Sequence, residues 1–264
     1  MTNGGREGRM RAPVVWSCGM GLNSFAMAVG LIEHGESYDL AMFADTGGER
    51  AGTYAAIPIL QAYVAHHSLP PIMRVWKKNA DFSPAPTLEE DCLTRKALPS
   101  IAYGYKSCSD HYKIRPQHKV LNNWQPALQA WERGESVTML IGFDADESHR
   151  TMNYDTRKYK VRYPLVEWGW DREACVEAVQ RSGLPLPPKS SCFFCPNMRP
   201  AEILDLAKTE PGLLARALAL ESNAELTTIT GLGRGWAWRD LVEMDERQVK
   251  MFPDPPEQSC ACID

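Results

Sequence analysis

No apolar run in the 264 residues approaches the roughly 20 needed to cross a bilayer as a helix, so the chain reads as making no membrane contact. Met1 to Arg11 are polar and glycine-bearing and lack the apolar centre of a secretory signal. They read as a disordered lead-in over 1–12, and the protein as cytoplasmic. Internal repeats and low-complexity segments are missing too, which excludes a solenoid or a linker-rich array. Charge of one sign is not in excess. A net charge of −4 argues against general coating of nucleic acid, although a local basic patch remains compatible with it. Hydrophobic residues at 44% are ordinary for a globular chain, and this length buries a substantial core without disulfides. One large domain, or one domain with an appendage, is expected.

What the chain does have is cysteine, eight in all. Without a secretory signal these thiols are expected reduced, and clustered cysteines then point to metal or redox chemistry. Cys192 and Cys195 form a C-x-x-C knuckle, the spacing that lets two thiolates hold one centre from a tight turn. One pair is half a site. Cys108 and the Cys260-Ala261-Cys262 tail are the sources of further ligands, which makes Cys108, Cys192, Cys195 and Cys262 the candidate set. Three ligands with an open position suit a [4Fe–4S] cluster, and four suit a closed cluster or structural zinc. Iron–sulfur is preferred over zinc, with a redox dithiol as a third use. Cys18, Cys92 and Cys175 read as packed small side chains.

The chain is organised around Val14 to Ala28, where an apolar run meets a small turn, Cys18-Gly19-Met20-Gly21, and then good helix formers ending near Gly30. This is the pattern of strand, tight loop and helix N-terminus. The new helix's free N–H groups, with the hydroxyls of Ser17 and Ser24, make an anion site. A Walker A loop requires a Lys that is absent, and a dinucleotide fingerprint requires Gly where Ser24 stands. A structural loop without a ligand is the alternative.

Apolar strands are expected over Asp39–Ala44, Ile72–Trp76 and Val137–Gly142, with a further extended segment over Tyr163–Trp168. Helical spacing follows the first of these through Tyr54, Ile57, Leu60 and Val64 to about His67, and Asp171 is a plausible N-cap for a helix ending at Gly183. Alternating strands and helices imply an α/β fold with a doubly wound, mostly parallel sheet over 13–184. Beyond a boundary near 185 a helical, cysteine-bearing extension over 185–264 is expected. Each strand of the first part ends in polar residues, where open α/β sheets bind ligands. Residues 77–106 carry Pro84, Pro86 and Pro99 and read as an excursion long enough to form a lid.

Four motifs, in order along the chain, resemble one family. The Ser17–Ser24 loop resembles the PP-loop of ATP pyrophosphatases and phosphoadenosine-phosphosulfate reductases, usually S-G-G-x-D-S, with Asn23 where that family has Asp and a longer span. Asp45-Thr46-Gly47-Gly48-Glu49 is similar to the reductase A-D-T-G-x-E segment. Cys108-Ser109 with Lys113 and Pro116 resembles C-[ST]-x-x-x-K-x-x-P, and Gly142, Glu147 and Arg150 match G-x-x-x-x-E-x-x-R. The form is most like a reductase-like branch common in phages and bacterial mobile elements. The resemblance implies an adenine nucleotide, ATP or a sulfonucleotide, bound through Ser17, Gly19, Gly21, Asn23 and Ser24. Asp45, Thr46 and Glu49 would hold the adenosine side, while Lys113, Arg115 and Arg150, beside Glu147, would neutralise phosphate. The structural alternatives are an Asx turn at Asp45 and a solvated cationic helix face around Lys113.

Two enzymes fit the resemblance. In one, ATP adenylates a nucleobase carbonyl and a cluster-bound sulfide displaces AMP, as in tRNA thiolases, which implies a nucleic-acid substrate. In the other, Cys260 or Cys262 attacks a sulfonucleotide and a thioredoxin-like reductant releases sulfite. The tail lacks the reductase ending E-C-G-[IL]-H. A non-catalytic nucleotide- or nucleic-acid-binding module holding structural zinc is the third reading.

Overall fold

The computed structural model describes residues 11–152 and 155–251. They divide into two compact units. The first takes the residues up to Thr87 with Ser109–Cys192, and the second takes Leu88–Cys108 with the residues from Phe193 onward.

In the first unit, five parallel strands form one sheet: β1 (Val14–Cys18), β2 (Leu40–Ala44), β3 (Ile72–Val75), β4 (Val137–Ile141) and β5 (Tyr159–Arg162). Their order is β3-β2-β1-β4-β5. Successive side chains alternate across the sheet, so β1 sends Val15 into one core and Trp16 into the other. On the Trp16 side, α1 (Leu22–Glu33), α2 (Ala51–His66) and helix Arg172–Arg181 contribute Phe25, Met27, Leu60, Val64 and Val179. On the Val15 side, Leu121 and Ala127 come from helices Arg115–Leu121 and Gln125–Glu132. All five residues of β2 are buried, as expected of a strand covered on both faces. The fold is therefore the doubly wound α/β sheet that the strand–helix alternation predicted.

Strand order reverses at β1. The chain leaves it toward β2 and β3, then returns to β4 on the other side, which opens a crevice at the carboxyl ends. The register lines these ends up, with Ser17 opposite Met42 on one side and Ile141 on the other.

Two local expectations are corrected. Gly30 does not end α1, which continues to Glu33. It is instead where the Trp168 ring packs against the helix, and any Cβ there would collide with that ring. Tyr163–Trp168 is not a strand, because Pro164 starts a helical turn over Pro164–Glu167. The last strand lies just upstream, within the basic Arg157–Arg162 stretch.

The second unit is helical: Leu88–Thr94, Pro200–Thr209, Pro211–Asn223 and Trp238–Met251. Buried Glu221 ties it together, accepting from the backbone N–H groups of Leu232 at 2.8 Å, Trp238 at 2.9 Å and Arg239 at 3.2 Å. The last two open helix Trp238–Met251, where a carboxylate also complements the helix dipole. Among the described residues, no helix is long and apolar enough to cross a membrane.

Candidate nucleotide site

The turn after β1 is held from within. The Gly19 N–H donates to Ser24 Oγ at 2.8 Å, and the same hydroxyl is hydrogen-bonded to the buried Cys18 thiol. The strained position is Met20 rather than either glycine: its φ is +61°, and its fully buried side chain anchors the tip. Gly21 is the N-cap of α1 and brings no side-chain cap, so the first-turn N–H groups have no side chain competing for them at the cap. Cys18, just before the turn, is buried with its thiol pushed up to about 12 by that burial, and stays protonated. Burial likewise raises Cys92 and Cys175 to about 12, as packed side chains require.

Three of the sequence-derived residues meet at the crevice. The Asn23 amide donates to Gly142 O at 3.2 Å and to Glu147 Oε2 at 3.1 Å. Glu147 in turn pairs with Arg150, whose guanidinium lies 4.4 Å from the centroid of the Phe143 ring. The β1 loop and the β4 loop are thus pinned together by Asn23.

The β2 loop is built on two buried carboxylates. Asp45 accepts from Gly47 N at 2.7 Å, closing an Asx turn, and from Tyr54 Oη at 3.1 Å and Arg74 Nε at 2.6 Å. Glu49 has its side chain wholly buried, with Lys113 Nζ 3.5 Å from Oε1 and Ser190 Oγ donating to Oε2 at 3.4 Å. Oε1 has no hydrogen-bond partner among the described residues. Burial raises the Glu49 carboxyl, Lys113 opposes the shift, and the charge of Asp45 adds to it.

Residues 188–192 run across this edge as a strap. Pro188 packs on Gly52, and Ser190 Cβ lies 3.5 Å from where a Cβ on Gly21 would stand. Ser191 O accepts from Arg50 N at 3.4 Å. Cys192 bridges to Glu49 through the backbone and places Sγ 3.1 Å from Thr46 Oγ1. Sequence reasoning missed Ser190, Tyr54 and Arg74; the Lys189-Ser190-Ser191 run ahead of the C-x-x-C was the available signal for the first.

The remaining candidates are placed differently. Arg115 is exposed, with Nε donating to Asp110 Oδ2 at 2.7 Å. Cys108 and Cys195 belong to the second unit, where the Cys108 N–H donates to Ser100 Oγ at 2.8 Å. Cys260 and Cys262 lie outside the described residues. Among the described residues, no three His, Cys, Asp or Glu side chains are gathered to hold a metal ion. The described donors alone therefore do not fit a cluster or a zinc ion, and no step is derived through either.

Fold and loop placement define the class: a doubly wound α/β protein whose loops after β1, β2 and β4 converge at the point where strand order reverses. No family model matches the chain, and no curated protein does. Among solved structures it is similar to the U34-tRNA thiolase NcsA from Methanococcus maripaludis with its [4Fe–4S] cluster, at 15% identity and a TM-score of 0.43, over 83% of this chain and 74% of that one.

Proposed function

We propose that the protein binds an adenine nucleotide at the Ser17–Ser24 loop and is an ATP-dependent enzyme that transfers sulfur to a nucleobase. The observation that carries this is the strap: Ser190 lies on Gly21 while Cys192 reaches Thr46, which brings a thiol to the edge that carries the glycine loop. Membership of the PP-loop superfamily, and of its reductase-like phage branch, belongs to the same proposal and rests on the ordered motifs.

In the proposed reaction the carbonyl oxygen of a base attacks the α-phosphorus of ATP and pyrophosphate leaves. A hydrosulfide then attacks the activated carbon, AMP leaves with the carbonyl oxygen, and loss of the S–H proton to solvent leaves the thiocarbonyl. The first-turn N–H groups of α1 and the Ser24 hydroxyl, turned from Cys18 toward the ligand, would hold phosphate oxygens. Arg150, oriented by Glu147 over Phe143, and Lys113 beside Glu49 would neutralise developing charge. Asp45, Thr46 and Glu49 shape the adenosine side. A [4Fe–4S] cluster, with zinc as the alternative, belongs to the proposal only if Cys262, outside the described residues, completes a set with Cys108, Cys192 and Cys195, and no step of the reaction is routed through it.

The test is pyrophosphate release from ATP in the presence of sulfide and a pool of RNA. Release that depends on RNA and is lost in Ser24→Ala and Arg150→Ala is expected. Tight AMP binding with no turnover on any nucleic acid would overturn the enzyme reading, and sulfite release from a sulfonucleotide that vanishes in Cys260→Ser would replace it with the reductase.

A further inference from the structure

The free edge of the sheet carries a feature that the nucleotide reading does not use. Between β3 and helix Arg115–Leu121 lies a groove of about 330 Å³, near the small end of the range for ligand sites, roughly 300–1,000 Å³. Two large rings on its wall face solvent: Trp76 is 46% exposed and Phe82 55%. Each ring is faced by a lysine, with Lys78 Nζ 5.7 Å from the Trp76 centroid and Lys119 Nζ 4.1 Å from that of Phe82. Lys119 Nζ also donates to Asn79 O at 2.6 Å, and Asn79 Nδ2 donates to Ser83 Oγ at 3.0 Å, so the turn carrying Phe82 is tied in place.

Arg74 adds a third cation, the same guanidinium that pairs with Asp45. No acidic residue is among the described residues lining the groove. Asp81, in the neighbouring turn, accepts from Ser83 N at 3.0 Å and Ser83 Oγ at 2.6 Å. Asn123 also lines the groove; its amide nitrogen donates to Lys119 O at 2.8 Å, which leaves Oδ1 as an acceptor.

We propose that this groove binds single-stranded RNA. Unpaired bases stack on Trp76 and Phe82, phosphates lie against Lys78 and Lys119, and a 2′-hydroxyl donates to Asn123. Alternating rings and cations select this occupant. An acidic peptide would satisfy the lysines and leave the rings uncovered, a duplex hides its base faces, and a free nucleotide offers one base for two rings. The proposal is independent of ATP binding.

Titration of the full chain with a short fluorescent single-stranded RNA, without ATP, tests it. Trp76→Ala and Phe82→Ala are each expected to weaken binding about tenfold or more, while Trp76→Phe retains most of it. Lys78→Gln and Lys119→Gln are each expected to lower the slope of log affinity against log salt by about 0.7. The matching DNA strand and duplex RNA bind more weakly. Affinity unchanged in both alanine variants, DNA bound as tightly as RNA, or displacement of the RNA by an acidic peptide would overturn the proposal. ATP binding retained in the ring variants separates its failure from failure of the nucleotide site.

Discussion

Two buried glutamates, one in each unit, are served very differently. Glu221 receives three backbone N–H donors at 2.8–3.2 Å and caps the start of helix Trp238–Met251. Among the described residues Glu49 has a lysine at 3.5 Å and a serine at 3.4 Å, with Oε1 lacking a hydrogen bond. Burial alone therefore does not mark a functional carboxylate; the difference lies in how far its acceptor capacity is used. A saturated carboxylate holds chain segments together, whereas an undersupplied one beside a cation retains capacity for a ligand. Asp45 stands between them, charge-paired by Arg74 and closing a turn.

The sharpest way to break this contrast is Glu221→Ala. It strands three donors, two of them on buried residues, and is expected to cost roughly 3–5 kcal/mol in denaturant unfolding; a loss under about 1 kcal/mol would remove the structural assignment of Glu221. Arg74→Ala leaves Asp45 with Gly47 and Tyr54, and an intermediate loss of about 2 kcal/mol is expected in the same measurement, reduced because the guanidinium is half exposed. Ser24→Ala deletes the hydroxyl that accepts from Gly19, which costs about 1 kcal/mol of stability while ATP affinity by calorimetry falls further than stability does.

The smallest effect is a slope. Because burial raises the folded-state Glu49 carboxyl above its unfolded value, the folded state binds the proton more tightly. The stability linked to Glu49 is then full below the unfolded carboxylate pKa and falls as pH rises through the folded one. Glu49→Gln should flatten that part of the stability–pH curve, and an unchanged curve would mean that Lys113 already compensates the buried charge.

Much of the first unit was legible in the chain. Apolar runs at Val14–Cys18, Leu40–Ala44 and Val137–Ile141, each broken by glycine or charge, marked strands whose polar ends share one edge. Local chemistry failed where a residue's partner is distant. Gly30 looked like a helix stop because its reason for being glycine, the Trp168 ring, comes from far along the chain. The strand at Tyr159–Arg162 was hidden because an edge strand with partly exposed residues shows no apolar run. The excursion at 77–106 shows the same limit, since from Leu88 onward it belongs to the Leu88–Cys108 segment that clusters with the helices following Phe193.

By itself, then, the sequence determined the periodicities, the turn chemistry and hence a parallel sheet with a loop-bearing edge, because those depend on neighbours a few residues apart. Only the tertiary structure decided that Asn23 ties two loops together, that Ser190 lies on Gly21, that Asp45 is fully occupied and that Glu49 is not. Hydrogen-bond saturation and burial are set by groups that sequence distance separates by a hundred residues or more in several of these cases, and folding alone brings those groups within reach.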